Sequence, residues 1–274
     1  MIFYRRIVSD MNKKNTKYIV IILFLISTFL VSGPSLISNG KSNEEEKKEN
    51  NKVKIAIVID DFGNGGEGTE EMLNLDIPIT AAVMPFAPYS EEESKKAIEK
   101  GKEVIIHMPM EPEHGKPHWL GKKPIISSLS NEEVEERVRE AVGEISGAKG
   151  MNNHMGSKIT KDERILREVF KVLKEKNMFF LDSKTTGKSK ASELCREMSI
   201  PYYERDVFLD HVHSQENVEK ELENAYKIAK EKGYAIVIGH VGAQGGKITA
   251  NGIRNKMGKF QKQGVEFVFL SQIK

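Results

Sequence analysis

From Val53 onward the chain alternates short apolar runs with longer stretches of helical periodicity. Val53–Ile59 is apolar or β-branched at nearly every position and long enough for a buried strand. Further strands are expected at Ile79–Met84, Glu103–His107, Met178–Leu181, Pro201–Tyr203 with Val207–Leu209, Ala235–Gly239 and Glu266–Leu270. The turn-rich Gly147–Gly156 has room for one more. Between them Glu67–Leu75, Ala191–Met198 and Glu216–Lys232 read as helices. So do the segments that carry Val134, Val138, Val142 and Ile145, and Ile165, Leu166, Val169, Phe170 and Leu173, at helical spacing. Ser90–Glu93, Ser130–Glu133 and Thr160–Glu163 have the spacing of reciprocal capping boxes and mark helix starts. Pro109–Ile126, rich in proline and glycine, reads as a long loop.

Seven or eight strands alternating with helices predict an α/β fold with a parallel sheet. The polar residues favour a barrel over an open sheet. Asp60, Asp61, His107, Asp182 and His240 each follow their strand directly, which in a β/α barrel is the catalytic face.

The N-terminus changes this picture. Arg5, Arg6, Lys13, Lys14 and Lys17 precede Tyr18–Gly40, which carries no charge. The apolar core Tyr18–Val31 is short for a span of roughly 20 residues. Residues 1–40 are therefore expected to be a secretory signal or an uncleaved membrane anchor. Lys41–Lys52 has no apolar residue and reads as a disordered charged tether. The folded domain is then 53–274. The positive-inside rule puts it outside the cytoplasm, anchored to the membrane or secreted.

Composition narrows the chemistry. The 274 residues are 39% hydrophobic and 30% charged, enough for one substantial core. A net charge of +2 gives no field that would draw nucleic acid. The single cysteine, Cys195, excludes an internal disulfide and a thiolate zinc site, and reads as packing. His114, His118, His211 and His213 read as surface or outer-shell groups.

A catalytic zinc-type site needs three nitrogen or oxygen ligands and an open position. Asp61, His107 and His154 are the expected three, drawn from separate strand ends. Asp60 is placed to take a proton from water and His240 to give one to a leaving group. Side chains alternate along a strand, so Asp60 and Asp61 face one site only if the chain bends, which is expected at Phe62-Gly63.

Six segments in order carry a family resemblance: Ile-Asp60-Asp61-Phe-Gly, His107-Met-Pro-Met, Met-Asn152-Asn153-His154-Met-Gly-Ser157, Phe-Leu-Asp182-Ser183, Arg205-Asp206-Val-Phe-Leu-Asp210 and Ile-Gly239-His240. Together they resemble the divergent polysaccharide deacetylases, a branch of the carbohydrate esterase deacetylase superfamily. The resemblance implies a distorted (β/α)7-8 barrel and removal of acetyl groups from a glycan with a divalent metal such as zinc. It implies Asp61, His107 and His154 as the metal triad, Asp60 as base and His240 as acid. Asn152, Asn153, Ser157, Asp182, Ser183, Asp206 and Asp210 are then substrate-binding or supporting residues, with Asp182 an alternative member of the triad. The better-known deacetylases carry both histidines on one His-x-x-x-His segment, whereas here they are far apart, and Val241 stands where proline is expected. Two other functions share these residues. One is a non-catalytic envelope protein that binds a glycan or a partner in the same pocket. The other is a metal phosphoesterase, disfavoured because no Arg/Lys cluster accompanies the ligands.

Overall fold

A computed structural model describes residues 52–116 and 119–274. The apolar N-terminal segment, the charged tether as far as Asn51, and His118 lie outside the described residues. Nine strands are described: β1 (Val53–Phe62), β2 (Thr80–Val83), β3 (Glu103–Met110), β4 (Gly150–Met155), β5 (Phe179–Asp182), β6 (Tyr202–Glu204), β7 (Val207–Phe208), β8 (Tyr234–His240) and β9 (Val265–Val268). All pairs are parallel, in the order β6-β5-β4-β3-β2-β1-β8-β7. The end strands β6 and β7 do not pair, yet only Arg205 and Asp206 separate them in the chain. A two-residue link reaches only about 10 Å, so the sheet curls until its edges nearly meet. This is the expected distorted barrel, left open between β6 and β7.

The strands carry two apolar faces, as their sequences require. Ala56, Val58, Ile105, Leu181, Ile236 and Ile238 point into the barrel, where Val268, Leu270 and Ile273 from the chain's end join them. Ile55, Ile57, Ile59, Val104, Ile106 and Val237 point outward under the helices. β8 pairs along β1 from Lys54 to Asp60. The other edge of β1 is shared, with β9 against Val53–Ala56 and β2 from Val58 onward.

The helices are α1 (Thr69–Leu73), α2 (Ser90–Glu99), α3 (Asn131–Glu144), α4 (Glu163–Glu175), α5 (Ala191–Met198), α6 (Gln215–Lys232) and α7 (Gly246–Lys262). Sequence periodicity missed α7, because its buried face is built largely from small residues such as Thr249, Ala250 and Gly252. Of the expected capping boxes, only Ser130–Glu133 forms. At α4 the cap is Asp162, whose side chain accepts from Ile165 N, while Thr160 Oγ1 donates to Gly156 O. At α2 neither Ser90 nor Glu93 caps the helix, since both side chains bind neighbouring loops. β3 runs on through Pro109 to Met110, so the expected loop starts later. The carbonyl of Pro109 still accepts from Ile125 N, and its missing N–H falls at the strand's end. Ser130→Ala removes a side-chain acceptor from Glu133 N and is expected to cost about 1 kcal/mol, read as a lower urea midpoint at unchanged slope.

Candidate metal centre

The two-residue period of the strands decides which polar side chains enter the barrel. Asp60 continues the inward set of Ala56 and Val58, His107 follows Ile105, and His240 follows Ile236 and Ile238. On β4, Met151 points outward, so Asn152 and His154 point in. Asp61 has the wrong parity. It reaches the site because the chain bends at Asp61 itself, with φ of 70° in the left-handed region, just ahead of the expected turn, where Gly63 also takes a positive φ of 102°. The β1–β2 register slips between Ile59 and Phe62, the signature of a bulge.

The three acceptors meet. His107 Nε2 lies 3.4 Å and His154 Nδ1 3.2 Å from Asp61 Oδ1, and the two ring nitrogens are 3.0 Å apart. The far side of each ring fixes where its proton sits. His107 Nδ1 is 2.8 Å from Asn152 Oδ1, and the Asn152 amide group donates to Asp60 Oδ1 at 2.9 Å, so the oxygen of Asn152 faces His107 and accepts. His154 Nε2 is 3.0 Å from the carbonyl of Trp119, which only accepts. In neutral imidazoles both protons therefore point away from the centre, leaving two lone pairs aimed at Asp61 Oδ1. That oxygen is buried and has no hydrogen-bond partner. Three facing acceptors call for a cation, and tetrahedral ligands about 2.0–2.1 Å from an ion stand roughly 3.3 Å apart. The residues present fit a divalent metal. Burial works to raise the Asp61 carboxyl, but when His107 and His154 carry protons toward it in place of a metal, their hydrogen bonds and charge outweigh burial and hold it well below the usual range.

Two further groups flank the triad. Asp60 is buried, and desolvation pushes its carboxyl up despite His107 and His240 nearby. His240 stands beside Asp60 in the β1–β8 register. Its Nδ1 is 2.9 Å from Asp210 Oδ1, while Asp210 Oδ2 accepts from His240 N at 2.7 Å and from Thr249 Oγ1 at 2.8 Å. Burial lowers the imidazole's proton affinity, yet the Asp210 carboxylate, with Asp60 and Asp61 behind it, raises the pKa to about 9. The pair can hold a proton at neutral pH and release it from Nε2.

The segments bearing these side chains also carry a family's pattern: the model of the divergent polysaccharide deacetylases matches residues 57–274. The chain belongs to that family. It is 36% identical over 187 residues, 68% of its length, to the uncharacterized protein YibQ of Escherichia coli (strain K12). The match takes in 58% of YibQ, so the chain spans little more than half of that relative. Its fold is similar to that of the uncharacterized protein ATU2773 from Agrobacterium tumefaciens C58, with a TM-score of 0.74 at 20% identity over 80% of this chain and 88% of that one. The peptidoglycan deacetylase PdaC from Bacillus subtilis is more distant, with a TM-score of 0.50 at 15% identity over 81% and 90%.

In this member of the divergent polysaccharide deacetylase family the two histidines meet through sheet adjacency, with His107 and His154 on paired strands β3 and β4. Asn152 links ligand and base. Asn153 accepts from Ser183 N at 3.0 Å and donates to Met155 O, bracing the ends of β4 and β5, and Ser183 Oγ lies 3.3 Å from Asn152 Nδ2. Ser157 Oγ accepts from Glu113 N and ties down the loop after β3. Asp182 does not join the triad. It follows Leu181, which points inward, so it points out, and its carboxylate accepts from Lys184 N at 2.7 Å. Asp206 is not at the site either. It stands between β6 and β7, where its carboxylate is taken up by Lys232 and by Ile236 N. His114, His211 and His213 are exposed, and Cys195 is buried with its thiol pushed up to about 12 by desolvation.

Sequence reasoning missed three supporting residues. Arg205 donates to the Ser183 and Lys184 carbonyls and lies near Asp60; it sits inside a quoted motif, which was the available signal. Thr249, on the unrecognised α7, left none. Glu93 looked like a helix cap, but its buried carboxylate accepts from Gly63 N at 2.5 Å and Gly65 N at 3.0 Å, clasping the loop that follows the Asp61 bulge. Glu93→Gln leaves one acceptor for two donors and is expected to weaken metal binding about tenfold. Glu144→Gln, which loosens a similar clasp on Phe86 N, is expected to leave it unchanged. Metal-competition titration of both variants checks this.

Proposed function

We propose that the domain is a divalent-metal-dependent deacetylase acting on an acetylated glycan of the cell envelope. The observation that carries this reading is the set of proton-free acceptors on Asp61, His107 and His154, flanked by a buried carboxylate and a carboxylate-backed imidazole. A divalent ion such as zinc, when bound by these three, supplies Lewis acidity toward an acyl carbonyl and acidifies water toward neutral pH. Asp60, its carboxyl raised by burial, takes the water's proton. Asn152 keeps that carboxylate beside His107 and so aligns base and ligand through one amide. His240 gives a proton from Nε2 to the departing nitrogen or oxygen, while Asp210 holds the ring and stabilises its charge. Family membership supports the acetylated glycan as substrate. Among the described residues, those lining the cleft beside the triad include no arginine or lysine, which favours acyl over phosphoryl transfer.

The test uses the full-length chain, stripped by chelator and reloaded with zinc. Acetate release from N-acetylated chitooligosaccharide is expected, lost on stripping and restored on reloading, with no turnover of an aryl phosphate. Saturable glycan binding without acetate at full metal loading would favour the non-catalytic envelope protein instead. The basic flank and uncharged run before Gly40 support export, with the domain retained at the membrane or secreted. Protease accessibility in intact cells, with and without outer-barrier permeabilisation, tests that placement.

A further inference from the structure

The two imidazoles of the triad rest on different kinds of neighbour. His107 is buried, and its outer nitrogen meets the Asn152 side chain on the paired strand β4. His154 stands where β4 has already left β5, since that pairing ends at Asn152 with Leu181. The next residue, Met155, turns into the left-handed region at φ 55°. The outer nitrogen of His154 meets a main-chain carbonyl, that of Trp119, in the loop between β3 and α3. The orientation of this ligand therefore depends on how that loop is held.

The loop is anchored on Glu111. Its N–H donates to Ile125 O and Ile125 N donates to Pro109 O, both at 2.8 Å, which ties the two ends of the loop together. The Glu111 carbonyl accepts from Lys158 N and Ile159 N, each at 3.2 Å, in the segment that follows His154. Its carboxylate spans two elements. Oε1 lies 2.7 Å from Lys158 Nζ, and Oε2 accepts from Ser127 N at 2.7 Å ahead of α3. Both bonds carry a full charge, the stronger kind. A little further on, Glu113 N donates to Ser157 Oγ at 2.9 Å and the Glu113 side chain pairs with Lys161.

We propose that Glu111, with Ser157 and Lys158 beyond the end of β4, are positioning residues for the metal ligand His154. They fix the loop so that the Trp119 carbonyl stays in line with His154 Nε2–H and the lone pair of Nδ1 stays aimed at Asp61 Oδ1. This rests on the metal centre of the deacetylase reading and not on its acetyl chemistry. The outer partner of a metal ligand fixes its ring and typically carries about 10–100-fold in affinity. Glu111 acts one step further out, through the backbone, so its share is smaller. The coupling is reciprocal: whatever loop order adds to metal affinity, metal binding returns as loop order.

Trp119 is the only tryptophan of the chain, so quenching of its fluorescence by acrylamide follows this loop. The full-length chain, stripped by chelator, is titrated with zinc by calorimetry and with acrylamide before and after loading. Glu111→Gln turns an amide donor toward either Lys158 Nζ or Ser127 N and is expected to weaken zinc binding about threefold or more. Ser157→Ala combined with Lys158→Met removes the side-chain ties from the opposite side, at half-buried positions, and is expected to do the same. In the parent, acrylamide quenching is expected to fall on zinc loading. Lys171→Met breaks an exposed ion pair with Glu135 between α4 and α3 and is expected to leave zinc affinity unchanged. A loss below about threefold in Glu111→Gln, or in the double variant should Glu111→Gln fail to fold, overturns the proposal. So does quenching in the parent that zinc does not lower, or an equal loss of affinity in Lys171→Met. Acetate release is followed in parallel. Zinc binding that depends on Glu111 without acetate release removes the deacetylase reading and leaves this one, whereas zinc binding indifferent to Glu111 with acetate release does the reverse.

Discussion

Asp61→Asn is expected to lower divalent-metal affinity by more than about 100-fold and to abolish acetate release, while the metal-free protein unfolds within about 2 °C of the parent. The size follows from position. Loss of an outer partner of a metal ligand typically costs 10–100-fold, and Asp61 is the sole carboxylate among the three inward acceptors. Asparagine is the informative replacement because it tolerates the left-handed conformation at φ 70°, so the bulge survives and the fold is not at issue. Its amide can donate to an imidazole lone pair, which leaves no buried group unsatisfied. Isothermal titration of stripped protein with zinc, beside a thermal melt, reads both quantities. Retention of metal within tenfold of the parent would mean that the three acceptors are not the ligands.

The second large effect concerns Asp210. With its carboxylate in place the His240 pKa stands at about 9, so the imidazole is mostly protonated at pH 8. Asp210→Asn removes the charge and turns an amide donor toward Nδ1, and the pKa falls toward the ordinary value near 6.5. If His240 is the acid, the alkaline limb of kcat moves to lower pH, and at pH 8 the rate drops about tenfold or more from titration alone. The sign is specific. A raised histidine pKa keeps the proton available up to its raised value, and losing the raising partner removes activity first at high pH, with the acid limb unmoved. A uniform loss across the profile would assign Asp210 to structure only, and metal affinity of the variant, expected unchanged, separates this from damage to the triad.

Much of the site was legible in the chain because strands carry a period of two. Val58 and Asp60, Ile105 and His107, and Ile238 and His240 are inward pairs that a reader of the sequence can align. The same arithmetic would have removed Asp182, which takes the outward parity of Phe180, whereas Asp206 is taken out of the site by Lys232 and Ile236 N, partners that only the folded chain supplies. Glu93 was misread for a different reason. Serine three residues before glutamate looks the same in sequence whether the carboxylate turns back to its own helix or reaches across to a loop, and the choice depends on the donors that Gly63 and Gly65 present.

The sequence alone determined the alternation of buried strands and amphipathic helices, the order of the strand ends, and the residue types a cation would accept, since these follow from local hydrophobic period and from side-chain chemistry. Tertiary structure alone decided three things. It bent β1 at Asp61, where β2 slips register and lets an out-of-phase carboxylate turn inward. It brought His107 and His154 together through the pairing of β3 with β4. It set their tautomers through Asn152 and the Trp119 carbonyl. Each of these depends on partners far away in the chain, and the protons of an imidazole go where those partners accept them.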